Sequence, residues 1–141
     1  MFISKVTIGD NPPDDVNVII ENPKGGEPVK YELDKASGFM MVDRFLHTSM
    51  SYPGNYGFIP HTLSEDGDPV DCLVISSNAV MPGSVLASRP VGVLIMEDEA
   101  GMDEKIISVP IARLYPYHDN IKDMKDVRPI LLDVIEHFFK G

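Results

Sequence analysis

Apolar and polar positions alternate in short blocks, and turn-forming residues separate the blocks along most of the chain. Val16, Asn17, Val18, Ile19 and Ile20 are rich in β-branched side chains and predict a strand. Asn22-Pro23-Lys24-Gly25-Gly26 breaks it. Val29, Lys30, Tyr31, Glu32 and Leu33 alternate with period two, the pattern of a half-buried strand. Turn chemistry over 34–38 and an apolar run over 39–45 then predict a hairpin. Pro53, Gly54, Gly57 and Pro60 exclude a helix over 52–60. A nearly continuous apolar run over 70–75 predicts the next strand. A longer strand over 84–96, bent at Pro90 or Gly92, follows, and then a short one over 105–109. Only the end of the chain reads as a good helix. Asp126 offers an N-cap and Pro129 lies within the first turn, while Ile130, Val134, Ile135 and Phe138 share one face at helical spacing. About six short strands and a late helix predict a mainly β architecture with some α, a small barrel with helical cover.

A chain of 141 residues is one ordinary domain, 1–141. Its 22 acidic against 12 basic residues give a net charge of −10, which argues against a nucleic-acid partner because the phosphate backbone would be repelled. The single cysteine, Cys72, excludes an intrachain disulfide and a Cys-rich zinc site, and its place in an apolar strand predicts core rather than nucleophile. His47, His61, His118 and His137 lack zinc-ligand spacing. The N-terminus carries no signal-peptide core and the apolar runs are far too short to span a membrane, so a soluble, cytoplasmic protein is expected.

The acidic excess is concentrated. Between Pro60 and Lys105 lie nine acidic residues (Glu65, Asp66, Asp68, Asp71, Glu97, Asp98, Glu99, Asp103 and Glu104), opposed only by Arg89 and Lys105. In the first cluster, Asp66-Gly67 is a standard turn. Asp71, however, stands at the mouth of an apolar strand, where an unpaired carboxylate is costly unless hydrated or bound to a cation. Pro69 stiffens the link from Asp68 to Asp71. Carboxylates held about 4 Å apart repel by roughly 1–4 kcal/mol per pair, depending on screening. A divalent cation removes that cost, and Mg²⁺ prefers oxygen ligands, commonly carboxylates with water and phosphate. An EF-hand does not fit, because counting from Asp66 its sixth and twelfth positions hold Asp71 and Ser77. The second cluster, 97–104, reads as the loop of a hairpin and could converge with the first. Lys30 and Arg44 offer phosphate contacts, the guanidinium by its bidentate fork.

Asp66-Gly67-Asp68-Pro69-Val70-Asp71-Cys72 resembles the signature of the soluble family I inorganic pyrophosphatases at every position. Val29-Lys30-Tyr31-Glu32, Val42-Asp43-Arg44-Phe45, the segment 52–60, Pro90-Val91-Gly92-Val93-Leu94, Asp98-Glu99-Ala100-Gly101 and Ile121-Lys122-Asp123 resemble the bacterial branch, in the family's order. The resemblance implies an OB-type five-stranded β-barrel with flanking helices and Mg²⁺-dependent hydrolysis of pyrophosphate to two phosphates, with Mn²⁺ or Zn²⁺ as possible substitutes. It implies that Asp66, Asp71 and Asp103 hold a first metal, that Asp71 reaches a second, and that Asp98 and Asp103 serve a metal arriving with substrate. Glu21 and Glu32 would bind a further metal or its waters. Asp68 would deprotonate the attacking water, and Lys30, Arg44, Tyr56 and Lys105 would grip phosphate. Several metal ions would invert the potential of an otherwise all-acidic pocket, which is how an acidic protein can take a highly charged anion. A homohexamer is expected by the same analogy.

The family continues with a Tyr-Lys pair on its last helix and with a further strand and helix, whereas this sequence reads His137-Phe138-Phe139-Lys140-Gly141. The chain is therefore expected to lack the C-terminal part of the family domain and to grip phosphate less strongly. The alternative this raises is a catalytically weak or inactive metal-binding OB-type module.

Overall fold

The computed structural model describes residues 3–64, 66–98 and 101–140, with the side chain of Asp98 outside that description. Five strands close a barrel: β1 (Val16–Asn22), β4 (Asn55–Ile59), β5 (Val70–Val74), β7 (Gly101–Pro110) and β6 (Val85–Asp98), in that spatial order, with β6 returning to β1. All neighbours are antiparallel except β5 and β7. β2 (Val29–Leu33) and β3 (Met40–Phe45) form a separate ribbon, and α1 (Pro129–Lys140) packs outside the barrel. This is the OB-type five-stranded barrel expected, with one more strand than the hydrophobic pattern announces.

That extra strand, β4, is hidden by Gly57. A Cβ at this position would lie 1.8 Å from the Ile19 carbonyl oxygen, so β1 and β4 approach as closely as they do only because no side chain intervenes. Gly57→Ala is expected to destabilise the fold by about 3 kcal/mol, since the obstacle is backbone of a closed barrel and cannot move aside. Urea denaturation measures this directly. The predicted bend in β6 falls where expected, at a register shift between Pro90 and Gly92.

Strands buried on both faces explain the continuous apolar runs. Cys72 and Val74 point into the barrel with Val16, Val18 and Ile20. Leu73 and Ile75 point outward, where Ile107, Val109 and Ile135 of α1 cover them. The thiol of Cys72 is fully buried, 3.2 Å from the Ser108 hydroxyl, and burial pushes its pKa up to about 12. Cys72 is therefore core, as the sequence suggests. Ellman's reagent should leave it unmodified in the native protein at pH 8 and titrate one thiol rapidly in denaturant.

Two local readings need correction. Asp126 does not cap α1. It closes a short 3₁₀ turn, Met124–Asp126, in a reciprocal capping box with Asp123, and its carboxylate accepts from the Lys122 and Asp123 amides at 2.9 and 3.2 Å. The buried face of α1 carries Leu131, Leu132, Ile135 and Phe139, whereas Ile130 and Val134 face solvent. The helix has apolar residues on two adjacent stripes, and tertiary contact rather than periodicity decides which is covered.

Candidate functional site

The outward alternation of β4, β5 and β7 runs from the α1 core into an open site. The register places Asp71 beside Phe58 on one side and Lys105 on the other. Tyr56, two residues from Phe58, and Asp103, two from Lys105, continue that face. Side chains that are core under α1 (Leu73, Ile107) thus become carboxylate, ammonium and phenol a few ångströms along the same strands.

Two adjoining cavities open there. The first, about 300 Å³, is lined by Glu21, Glu32, Asp68 and Asp71 together with Lys30, Lys35 and Lys105. The second, about 270 Å³, is lined by Lys30, Arg44 and Lys105 with Tyr52, Phe138 and Phe139, and none of its described lining residues is acidic, although Lys30 pairs with Asp43 at 3.4 Å. Lys30, Tyr56 and Lys105 belong to both. Acidic and basic residues are both present, as expected, but they are not evenly mixed. The structure divides the site into a mixed lobe with four carboxylates and a cationic lobe beside it.

Lys105 is the pivot. Only 7% exposed, its Nζ donates to the Tyr56 hydroxyl at 2.7 Å and lies 3.2 Å from Asp103 and 3.5 Å from Asp71. It also sits over the rings of Tyr56 and Phe139 at 5.2 and 4.7 Å. Burial pushes the Asp71 carboxyl up from its ordinary value, and the nearby Asp103 adds to that, while Lys105 and the Tyr56 hydroxyl oppose it. Burial likewise raises Glu21, against the Leu33 amide that donates to it at 2.9 Å and the charge of Lys35. Tyr56 is pushed far above the usual phenol range by burial and by Asp71, and Tyr52 is pushed up to about 12. For Glu21 and Asp71 burial thus outweighs the neighbouring lysines, so a further cation beside either carboxylate would be favoured.

Of the residues expected to serve the site, Glu21, Glu32, Asp68 and Asp71 line the first lobe, and Lys30, Arg44, Tyr56 and Lys105 line the second. Asp103 joins through Lys105. Asp66 lines neither lobe, and its carboxylate accepts from the Asp68 amide at 2.9 Å. The Asp98 side chain, Glu65 and Glu99 lie outside the described residues. The second acidic cluster is not a long loop, because β6 runs to Asp98 and β7 begins at Gly101, so Asp103 and Glu104 are strand residues.

Asn22, Lys35, Tyr52, Phe138 and Phe139 also line or support the site, and sequence reasoning assigned none of them a role there. Buried Asn22 accepts from the Tyr31 amide at 2.8 Å and donates to its carbonyl at 3.1 Å, acting as a short strand that fixes the ribbon, and with it Lys30 and Glu32, to the barrel. Phe138 packs on Tyr52 and Phe139 on Tyr56, at 4.6 and 5.0 Å between ring centres. Their spacing on α1 marks apolar residues, but nothing in it shows that they wall a charged site.

The donor chemistry suits a hard divalent cation. The first lobe offers carboxylate oxygens, and neither lobe has an imidazole or thiolate among its described lining residues. Among the described residues no three acidic side chains close into a ready-made cage, so a cation there would take a few carboxylates and complete its shell with water or phosphate oxygens.

Residues 18–141 match the inorganic pyrophosphatase family. The inorganic pyrophosphatase of Rhodospirillum rubrum is 65% identical over 139 residues, 99% of this chain and 78% of that protein. The crystal structure of the Ehrlichia chaffeensis inorganic pyrophosphatase aligns with a TM-score of 0.91 at 54% identity, over 96% of this chain and 85% of that one. That of the Thermus thermophilus enzyme gives 0.92 at 43% identity, over 99% and 78% respectively.

Proposed function

Because the chain belongs to the inorganic pyrophosphatase family, we propose that it hydrolyses inorganic pyrophosphate to two orthophosphates at the paired lobes. The observation that carries this is the sharing of Lys30, Tyr56 and Lys105 between a carboxylate-bearing lobe and a cationic one. A diphosphate has two charged ends joined by one bridging oxygen, and the shared residues stand where such a bridge would lie.

In this reading Asp66, Asp71, Asp98, Asp103, Glu21 and Glu32 would hold Mg²⁺ ions, with Mn²⁺ or Zn²⁺ as substitutes, which when bound supply positive charge to phosphate oxygens and ease deprotonation of water. Asp68 acts as general base. Two observations support this: its carboxylate makes no hydrogen bond or ion pair among the described residues, and it lines the first lobe, so it is available to accept a proton from the attacking water. Water oxygen bonds to one phosphorus as the bridging P–O bond breaks. Arg44 and Lys30 hold the phosphoryl group in the second lobe, and Lys105 with Tyr56 stabilises charge that grows on the departing oxygen.

The reading of a module without turnover draws no support from the relatives, which are named as inorganic pyrophosphatases. Homohexameric assembly and a cytoplasmic location are proposed with the activity. Exposed apolar Phe39, Phe45, Ile130 and Val134 support the assembly. Among the described residues no helix is long and apolar enough to cross a membrane. Phosphorus NMR tests the activity. The pyrophosphate resonance should convert to orthophosphate with Mg²⁺ and persist when EDTA removes metal. Persistence of pyrophosphate in the presence of Mg²⁺ would overturn the proposal.

A further inference from the structure

A third cavity, about 400 Å³, shares no lining residue with either lobe. It lies beneath the first turn of α1, between that turn, the 53–54 segment and the loop after β5, and it gathers Lys24, His118 and Arg128 around Ser76, Ser77 and Asn120. In a chain of net charge −10 this is an unusual gathering of basic side chains. Neither Lys24 nor Arg128 has an ion-pair partner among the described residues. The one carboxylate on the wall, Asp126, is already engaged by the Lys122 and Asp123 amides. Burial, and after it the charge of Lys24, lowers the His118 pKa. Arg89 adds to the positive surroundings by donating to the His118 carbonyl at 3.3 Å. The Ser76 hydroxyl donates to the Asn78 carbonyl at 3.1 Å and the Ser77 hydroxyl pairs with that of Tyr115 at 2.8 Å, so recognition falls chiefly to the two unpaired cations with the Asn120 carboxamide, a set that suits a compact anion with several acceptor oxygens.

We propose that this cavity is a second anion site, separate from the pyrophosphate lobes, that binds a phosphomonoester dianion between Lys24 and Arg128. The fold secures the frame of this site. The Lys24 amide donates to the buried side chain of Asn55 at 2.9 Å, and the neighbouring Gly25 amide to the Tyr52 carbonyl at 2.9 Å. The exposed ring of Tyr117 at the rim leaves room for an organic body on the phosphate, so adenosine monophosphate is a suitable probe. It contains no phosphoanhydride and so is no substrate for the proposed reaction.

The test is a titration of the isotope-labelled full chain with adenosine monophosphate, read by amide NMR shifts. Saturable shifts are expected at Ser76, Ser77, His118 and Asn120, with the His118 ring pKa rising as the anion binds beside it. Lys24→Ser with Arg128→Gln should abolish these shifts while pyrophosphate hydrolysis stays within twofold, since neither residue touches the lobes. Adenosine, which lacks the phosphate, should give none. No shifts at millimolar probe, equal shifts with adenosine, or shifts that survive the double substitution would each overturn the proposal. The amide shifts and the His118 titration do not depend on the chain being a pyrophosphatase; only the hydrolysis control does.

Discussion

Asp68→Asn is expected to lower kcat for pyrophosphate hydrolysis by roughly 10²–10⁴-fold, the range that a positioned general base contributes. KM should change far less, because Asp68 is assigned to the water and not to the phosphates. The amide keeps the shape of the side chain and the Asp68 backbone N–H still donates to Asp66, so the turn is preserved. Only the ability to accept a proton is lost. The fold should be unaffected, because the carboxylate has no partner to leave unpaired among the described residues. Steady-state phosphate release over a range of pyrophosphate concentrations separates kcat from KM, and an unchanged kcat would remove Asp68 from the reaction.

Lys105→Met is expected to act on both chemistry and stability. Its Nζ touches Tyr56, Asp71 and Asp103 at once, and its stem and head pack against Tyr56 and Phe139. Methionine keeps much of the apolar packing and deletes the charge. Losing a buried donor aimed at developing negative charge costs roughly 10²–10³-fold in kcat. In metal-free protein the carboxylates of Asp71 and Asp103 would also face each other without their shared cation. Removing one partner of a buried pair costs 3–5 kcal/mol, but both carboxylates are about a third exposed, so a loss of about 2 kcal/mol is expected here. Mg²⁺ should restore part of that stability by standing between the same carboxylates, and should not restore kcat. Urea denaturation with and without Mg²⁺, run beside the kinetics, checks both halves. Equal destabilisation in the two conditions would mean that Asp71 and Asp103 do not attract a cation.

The strands β1 and β5 were legible in the sequence because burial on both faces writes itself as an apolar run. The ribbon strands β2 and β3 were legible from alternation and an apolar stretch, although β3 is mostly exposed. All four fall within a residue or two of the segments their patterns predict. β4 was not legible. The glycine that lets it approach Ile19 and the prolines that flank it are the residues that usually mark a loop. α1 was placed correctly but faced wrongly, because Ile130 and Val134 look as apolar as Leu131 and Leu132 while remaining in solvent.

The site was legible as a set of residue types and not as an arrangement. Acidic residues at 21–32, 66–71 and 103 lie on β1, β2, the turn before β5, β5 itself and β7. Closure of the barrel and the Asn22 bridge to the ribbon bring these segments to one edge. No local pattern records that closure. Nor does it record that Lys35 enters the carboxylate lobe or that Phe138 and Phe139 wall the cationic one, since both follow from where whole elements dock.

The division into lobes fixes how a chain this acidic handles a highly charged anion. The cationic lobe can hold one phosphoryl group unaided, but the carboxylate lobe accepts the other only once cations have reversed its sign. Calorimetric titration with a non-hydrolysable diphosphate, methylenediphosphonate, measures this most directly. The expected result is weak binding in EDTA and binding at least about 100-fold tighter with Mg²⁺, a difference of about 2.7 kcal/mol. Equal affinity with and without Mg²⁺ would contradict the account, because the carboxylates would then have no part in holding the substrate.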